Sequence, residues 1–125
     1  LATQSGKLLN RFEPRSCKMY LLGYNSTIRQ IKATSNFISW LDGLKDVRGR
    51  ARVQARIQRL ASGNPGQYRN LKFAVSELKI DAGPGYRVYF TLRNESLIIL
   101  LCGGSKAGQA QDIQLAYELV KEFNE

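Results

Sequence analysis

The chain has 125 residues, 43% hydrophobic and 23% charged, with two cysteines and no histidine. That composition fits one globular domain with a single core, and two cysteines are too few for a disulfide framework. Without histidine the commonest general base and metal ligand are missing, so no metal or cofactor is expected and proton transfer falls to Lys, Tyr, Glu or Asp. A formal net charge of +9, from 19 Lys and Arg against 10 Asp and Glu, favours a polyanionic or acidic partner, either nucleic acid or an acidic protein.

No apolar run approaches the roughly 18 residues of a membrane helix, and no charged-then-apolar secretory pattern opens the sequence. The expected location is therefore cytoplasmic, with no membrane partner and with Cys102 behaving as a small buried hydrophobe. Residues 1–25 read as a loosely attached extension and residues 26–125 as the domain. Within the extension, residues 1–18 read either as non-native sequence ahead of a start at Met19 or as a genuine arm.

In chain order, Ile28 and Ile31 predict a short first strand from Ser26 to Lys32. Thr34 or Ser35 then reads as an N-cap before Phe37, Trp40, Leu41 and Leu44 at helical spacing, a helix ending near Lys45. Asp46 caps a second helix with Val53, Ile57 and Leu60 on its apolar stripe, stopped by Ser62-Gly63-Asn64-Pro65-Gly66. Together they form a helical hairpin. Arg48, Arg52, Arg56 and Arg59 recur along one edge of the second helix, with Arg50 beside them. Like charges at this spacing repel mildly, and no acidic residue within the helix relieves them, which predicts a phosphate backbone or an acidic partner against that edge. The bland alternative is a solvated face.

Tyr68 to Phe73 predicts a short strand. Two alternating segments follow, Ser76 to Ile80 and Tyr86 to Leu92, separated by Gly83-Pro84-Gly85, the pattern of a β-hairpin. Because opposed residues share a face, Leu78 must meet Val88 or Phe90, through a loop of either Asp81–Gly85 or Gly83–Gly85. Both registers gather Glu77, Lys79, Arg87 and Tyr89 on the polar face, which reads as the working surface. Arg93-Asn94-Glu95 predicts a turn, and Leu97 to Cys102 is the uninterrupted apolar run of a strand buried on both faces. The run leads into a flexible Gly103–Gln109 loop, then a last helix with Ile113, Ala116, Tyr117 and Val120 toward the sheet.

Four blocks of the chain, between about Ile28 and Phe123, resemble the RelE/ParE superfamily of bacterial toxins, and most of all its HigB-like, phage-derived addiction module killer branch. They are Phe37-x-x-Trp40-Leu41 with Leu44-Lys45-Asp46; Arg56-Ile57-x-Arg59-Leu60 with Gly63-Asn64; Glu77-Leu78-Lys79-Ile80 with Gly83-Pro84-Gly85-Tyr86-Arg87-Val88-Tyr89-Phe90; and Leu101-Cys102-Gly103-Gly104-Ser105-Lys106-x-x-Gln109-x-x-Asp112-Ile113.

The resemblance implies an α+β, microbial-ribonuclease-like fold: an antiparallel twisted sheet with an N-terminal helical hairpin and a C-terminal helix. It also implies the toxin of a type II toxin–antitoxin pair, bound by a small, often helix-turn-helix antitoxin encoded beside it. RelE-like and HigB-like members cut mRNA on the ribosome, whereas ParE-like members inhibit DNA gyrase. A third outcome is an inert relative that only binds its antitoxin.

On the nuclease reading Arg87 matches the family arginine that stabilises the phosphorane-like transition state, and Lys79 a basic position that holds the phosphate or serves as base. Tyr89 and Lys106 would share the acid–base work. Arg48, Arg52, Arg56, Arg59 and Glu77 would contact nucleic acid. The chain departs from RelE-like members at Ala107 and Ile113, where they carry an arginine and a tyrosine. It also lacks the C-terminal histidine frequent in HigB toxins.

Overall fold

The computed structural model describes Asn10–Phe12, Met19–Leu21 and residues 29–123. The strands are β1 (Asn10–Phe12), β2 (Met19–Leu21), β3 (Gln30–Thr34), β4 (Tyr68–Asn70), β5 (Val75–Ile80), β6 (Tyr86–Arg93) and β7 (Leu97–Ser105). The helices are α1 (Ser35–Asp42), α2 (Val47–Ala61) and α3 (Gln109–Val120), with single 3-10 turns at Lys106–Gly108 and Lys121–Phe123. The remaining residues of the predicted extension, and Ser26 to Ile28 of the predicted first strand, lie outside the described residues.

One sheet runs in the order β1-β2-β3-β7-β6-β5-β4. It is antiparallel at every seam except β3–β7, which is parallel, so the expected antiparallel sheet is corrected to a mixed one. The chain leaves β3 through the helical pair and the β4–β5–β6 meander before returning as β7. That long crossover makes a parallel pairing possible where a short hairpin could not. The apolar run of β7 lies between β3 and β6, buried on both faces as its composition predicted.

Helices cover both faces. Phe37, Leu41, Val53, Ile57 and Leu60 of α1 and α2 share a core with Leu78, Ile80, Val88, Phe90, Ile98 and Leu100 of the sheet. On the other face Ala116 and Val120 of α3 pack with Val75, Tyr89, Ile99, Leu101 and Cys102. The hairpin strands were expected to keep a polar face open, but α3 lies across it, so Glu77, Arg87 and Tyr89 are buried.

Both predicted caps form. Thr34 Oγ1 accepts from the Phe37 amide at the start of α1, and Asp46 Oδ1 accepts from the Gly49 amide at 3.0 Å at the start of α2. The α1 helix ends at Asp42, earlier than the predicted Lys45, with Gly43 as its C-cap.

Two predicted segments differ at their ends. The strand expected through Phe73 stops at Asn70, because Phe73 (φ 58°) and Ala74 (φ 63°) form a tight turn closed by the Val75 amide on the Lys72 carbonyl at 3.0 Å. Two consecutive left-handed residues mark a type I′ turn, normally given to Asn and Gly, and each costs roughly 1–2 kcal/mol here. The expected Gly103–Gln109 loop is instead strand as far as Ser105. Gly103 lies under the Trp40 ring and Gly104 under the Asp112 carboxyl, where a Cβ would collide with either.

Candidate functional site

The β5–β6 register pairs Ile80 with Tyr86, which selects the Asp81–Gly85 loop of the two the sequence allowed. Leu78 then opposes Val88, Lys79 opposes Arg87 and Glu77 opposes Tyr89. The four polar residues share one face, as the alternation required. On the neighbouring edge strand Arg69 opposes Glu77, and from the start of α3 Gln109 reaches down to the same carboxylate. Gln67, Tyr68, Arg69, Glu77, Lys79, Arg87 and Gln109 enclose a cleft of about 360 Å³.

Glu77 is the hub of this cleft. Its Oε1 accepts from Arg69 Nε at 2.7 Å, and its Oε2 accepts from Tyr89 Oη at 2.9 Å and from Gln109 Nε2 at 2.8 Å. Burial alone would raise the Glu77 pKa, but the hydrogen bonds from Arg69, Gln109 and Tyr89 outweigh it and hold the carboxyl below its usual range. The same hydrogen bond raises the pKa of Arg69. Glu77 was expected to touch nucleic acid directly; with its oxygens so engaged, it serves to position the cations.

Arg87 is buried to 6% exposure, and its Nη1 donates to the Gly85 carbonyl at 2.8 Å. Its Nε lies 3.8 Å from Glu77 Oε2, an ion pair too long for a hydrogen bond, and is buried without a hydrogen-bond partner. Lys79 is half-buried in the cleft wall, and Lys106 is exposed at the end of β7. A side chain at Gly85, where φ is +81°, would meet Arg87 Nη1 at 3.2 Å and Lys106 Cβ at 3.7 Å, so Lys106 roots beside the guanidinium.

Tyr89, expected to share the acid–base work, is fully buried under α3 with its hydroxyl committed to Glu77. Burial first, and then the hydrogen bond to Glu77, raise its pKa far above a phenol's ordinary value, which leaves it a structural donor. Cys102 behaves as expected: burial pushes its thiol to about 12, and Sγ lies 3.5 Å from the Asp112 carbonyl. Burial also raises the pKa of the Asp112 carboxyl, which lies over Gly104, the residue paired with Arg87 across β6 and β7.

The α2 arginines belong to the other layer. Arg56 is half-buried and spends its guanidinium on three carbonyls, those of Lys79 (2.7 Å), Pro65 (2.9 Å) and Gln67 (3.1 Å). Burial, then repulsion from Arg59 and Arg52, lowers its pKa. Arg52 donates to the Asp81 carbonyl at 3.2 Å, and Arg50 pairs with Asp42 across the helical hairpin at 3.2 Å. Backbone carbonyls at the sheet edge therefore relieve part of a row whose charge had suggested an external anion. Arg48 and Arg59 are exposed on that layer.

Arg69 and Gln109 escaped selection as site residues from the sequence. A signal for Arg69 existed: it stands one position into a short strand before the hairpin, and antiparallel pairing brings such a cation opposite Glu77. Gln109 needed knowledge of where α3 begins over the sheet.

Among the described residues no helix is long and apolar enough to cross a membrane. No family model matches the chain, and no solved structure matches it. Over 94 residues it is 48% identical to an uncharacterized protein of Haemophilus influenzae, an alignment spanning 75% of this chain and 95% of that protein.

Proposed function

Starting from the premise that the chain belongs to the same family as this Haemophilus influenzae protein, we propose that it is the toxin of a type II toxin–antitoxin pair with a RelE/ParE-like fold, acting in the cytoplasm as an mRNA endonuclease on the ribosome. The observation that carries the reading is Arg87, a buried guanidinium that lines the cleft, held between Glu77 and the Gly85 carbonyl, with Lys79 directly across from it. The four-block resemblance supports it, as does the net charge of +9.

In the cleft, a scissile phosphate would accept from Arg87 and be flanked by Lys79. The 2′-oxygen loses its proton and attacks phosphorus, the 5′-oxygen departs with a proton, and the products are a 2′,3′-cyclic phosphate and a free 5′-hydroxyl. Arg87 offsets the charge that accumulates on the phosphoryl oxygens, where preorganised donors contribute most. On this reading Lys79, in the cleft wall, and Lys106, rooted beside Arg87, would exchange the protons. Its partners on this reading are the ribosome-bound mRNA and an adjacently encoded antitoxin.

A second reading, a ParE-like gyrase inhibitor or an inert antitoxin-binding relative, is favoured by the loss of Tyr89 from the reactive set. Inducible expression in bacteria separates them. The nuclease predicts growth arrest with transcripts cut at mapped internal positions; Arg87→Ala should abolish both, and Arg87→Lys, which keeps the buried charge beside Glu77, should lose the cutting while its thermal midpoint stays nearer that of the parent. Filamentation with intact transcripts would overturn it in favour of gyrase, and normal growth in favour of the inert form.

A further inference from the structure

The cationic face continues beyond the cleft. Arg69 braces Glu77 from the edge strand, its Nε 2.7 Å from the carboxylate. Following β4 away from the cleft leads to the 71–74 turn. There the Lys72 amide donates to Tyr117 Oη at 3.3 Å, and the Phe73 ring stands edge-on to Tyr117 with centroids 5.0 Å apart and planes at 83°. Phe73 is 62% exposed, and Lys72 is exposed beside it.

This placement is unusual for a core hydrophobe. The turn holds a bulky aromatic in the left-handed region, φ 58°, that glycine or asparagine fills with less strain, and most of the ring faces solvent. Backbone strain of this kind persists where the surrounding structure holds it, and it clusters at ligand clamps. From Lys79 to Val75 the strand covers about 13 Å at 3.3 Å per residue. An extended single strand spans that distance in a few nucleotides, passing Arg69 and Lys72 on the way.

We propose that Phe73, braced by Tyr117, is a nucleobase-stacking platform, and that Arg69 and Lys72 hold the phosphates between it and the cleft, so that single-stranded RNA is the substrate form this face takes. The proposal rests on the reading of the cleft as a phosphodiester site. Exposed aromatics set among cations are what sequence-tolerant single-strand binders use, because every base offers a face to stack while the charges follow the backbone. The bases of a duplex are already stacked on each other. The excess of positive charge over the whole chain complements RNA in the same way.

Fluorescence anisotropy with a labelled single-stranded 2′-O-methyl RNA of about a dozen mixed nucleotides, which cannot be cut through its 2′-oxygens, tests this on the full chain. Phe73→Ala and Phe73→Gly should weaken binding about tenfold, and Phe73→Trp should restore it. Glycine suits φ 58°, so a Phe73→Gly protein that unfolds no earlier than the parent yet binds weakly assigns the effect to the ring and not to the fold. The same sequence as a duplex should show no dependence on residue 73.

Binding by Phe73→Gly within twofold of the parent overturns the platform, even if the parent cuts transcripts in cells and the nuclease reading stands. Ring-dependent binding by a parent that leaves transcripts intact keeps the platform and removes the nuclease. If Phe73→Gly keeps RNA affinity but loses a protein partner encoded beside it, the surface serves protein recognition and the proposal falls.

Discussion

Glu77 carries the balance of charge in the cleft, and its energetics have a definite sign. Its pKa lies below the ordinary 4.5, so the ionised form favours the folded state. That contribution is fully present above the ordinary value and disappears as pH falls through the depressed one. Asp112, raised by burial, works the opposite way, but it is common to parent and mutant. Glu77→Gln should therefore lose roughly 1–3 kcal/mol at pH 7. Urea midpoints between pH 7 and pH 3 should converge for the two proteins as the acid removes from the parent what the mutation removed from the variant. A constant gap down to pH 3 would show that Glu77 stabilises by shape and not by charge.

Other side chains divide by what they satisfy. Arg56 and Arg87 are both half-buried or buried guanidinium groups with an unpartnered Nε, yet Arg56 binds three carbonyls of its own chain whereas Arg87 binds one. The difference separates a brace at the sheet edge from a group with donors to spare. Spacing along a helix could align Arg48, Arg52, Arg56 and Arg59, but it held no information about the carbonyls that the returning sheet edge would present.

At the scale of elements, the join between β3, α1 and β7 shows how one side chain fastens three segments. Thr34 is fully buried, accepts from the Phe37 amide to cap α1, and donates to the Leu101 carbonyl of β7. Thr34→Ala removes the cap and leaves that carbonyl unpaired, and should cost about 2 kcal/mol in the urea midpoint, while Thr34→Ser should recover most of it. Equal loss in both variants would mean that the methyl group, not the hydroxyl, secures the join. The cap was legible as Thr34 or Ser35, since a polar residue before a helical stripe has a local reason to be there. The carbonyl 67 positions away was not.

Element ends follow the same division. The Asn94–Glu95 turn, with φ of 55° and 60°, was read from its composition. Phe73 and Ala74 adopt equally left-handed backbone without any turn-forming residue, so composition extended the strand as far as Phe73. Gly103 and Gly104 resemble a loop in sequence and are strand because Trp40 and Asp112 press on them from opposite faces.

Over the whole molecule, the sheet separates two sets of cations. Arg69, Lys79 and Arg87 lie on the α3 side, with Lys72 in the turn whose backbone meets Tyr117 of α3, and the α2 arginines lie on the other. Binding of the single-stranded probe should weaken with salt by about 0.7 in log K per log unit of salt for each phosphate neutralised, giving a slope of roughly −2 to −3 for these four cations. Lys79→Ala should flatten that slope by about 0.7. The Arg48→Ala, Arg59→Ala double variant should leave it unchanged. A slope that responds to the double variant would place RNA against α2.

Period-two alternation and the loop glycines determined, from the sequence alone, that Glu77, Lys79, Arg87 and Tyr89 share a face, because a slip by one residue would bury charges against the core. Capping residues and apolar stripes likewise determined the two helices, and the unbroken apolar run determined the central position of β7. These are short-range consequences of backbone geometry and burial. Only the tertiary structure decided that α3 closes over half of that face, withdrawing Tyr89 into the core, turning Glu77 inward as an anchor and leaving Arg87 at the edge of the cover. Such outcomes depend on where a distant helix lands, and the pattern along a strand says which residues point together but not what will lie above them.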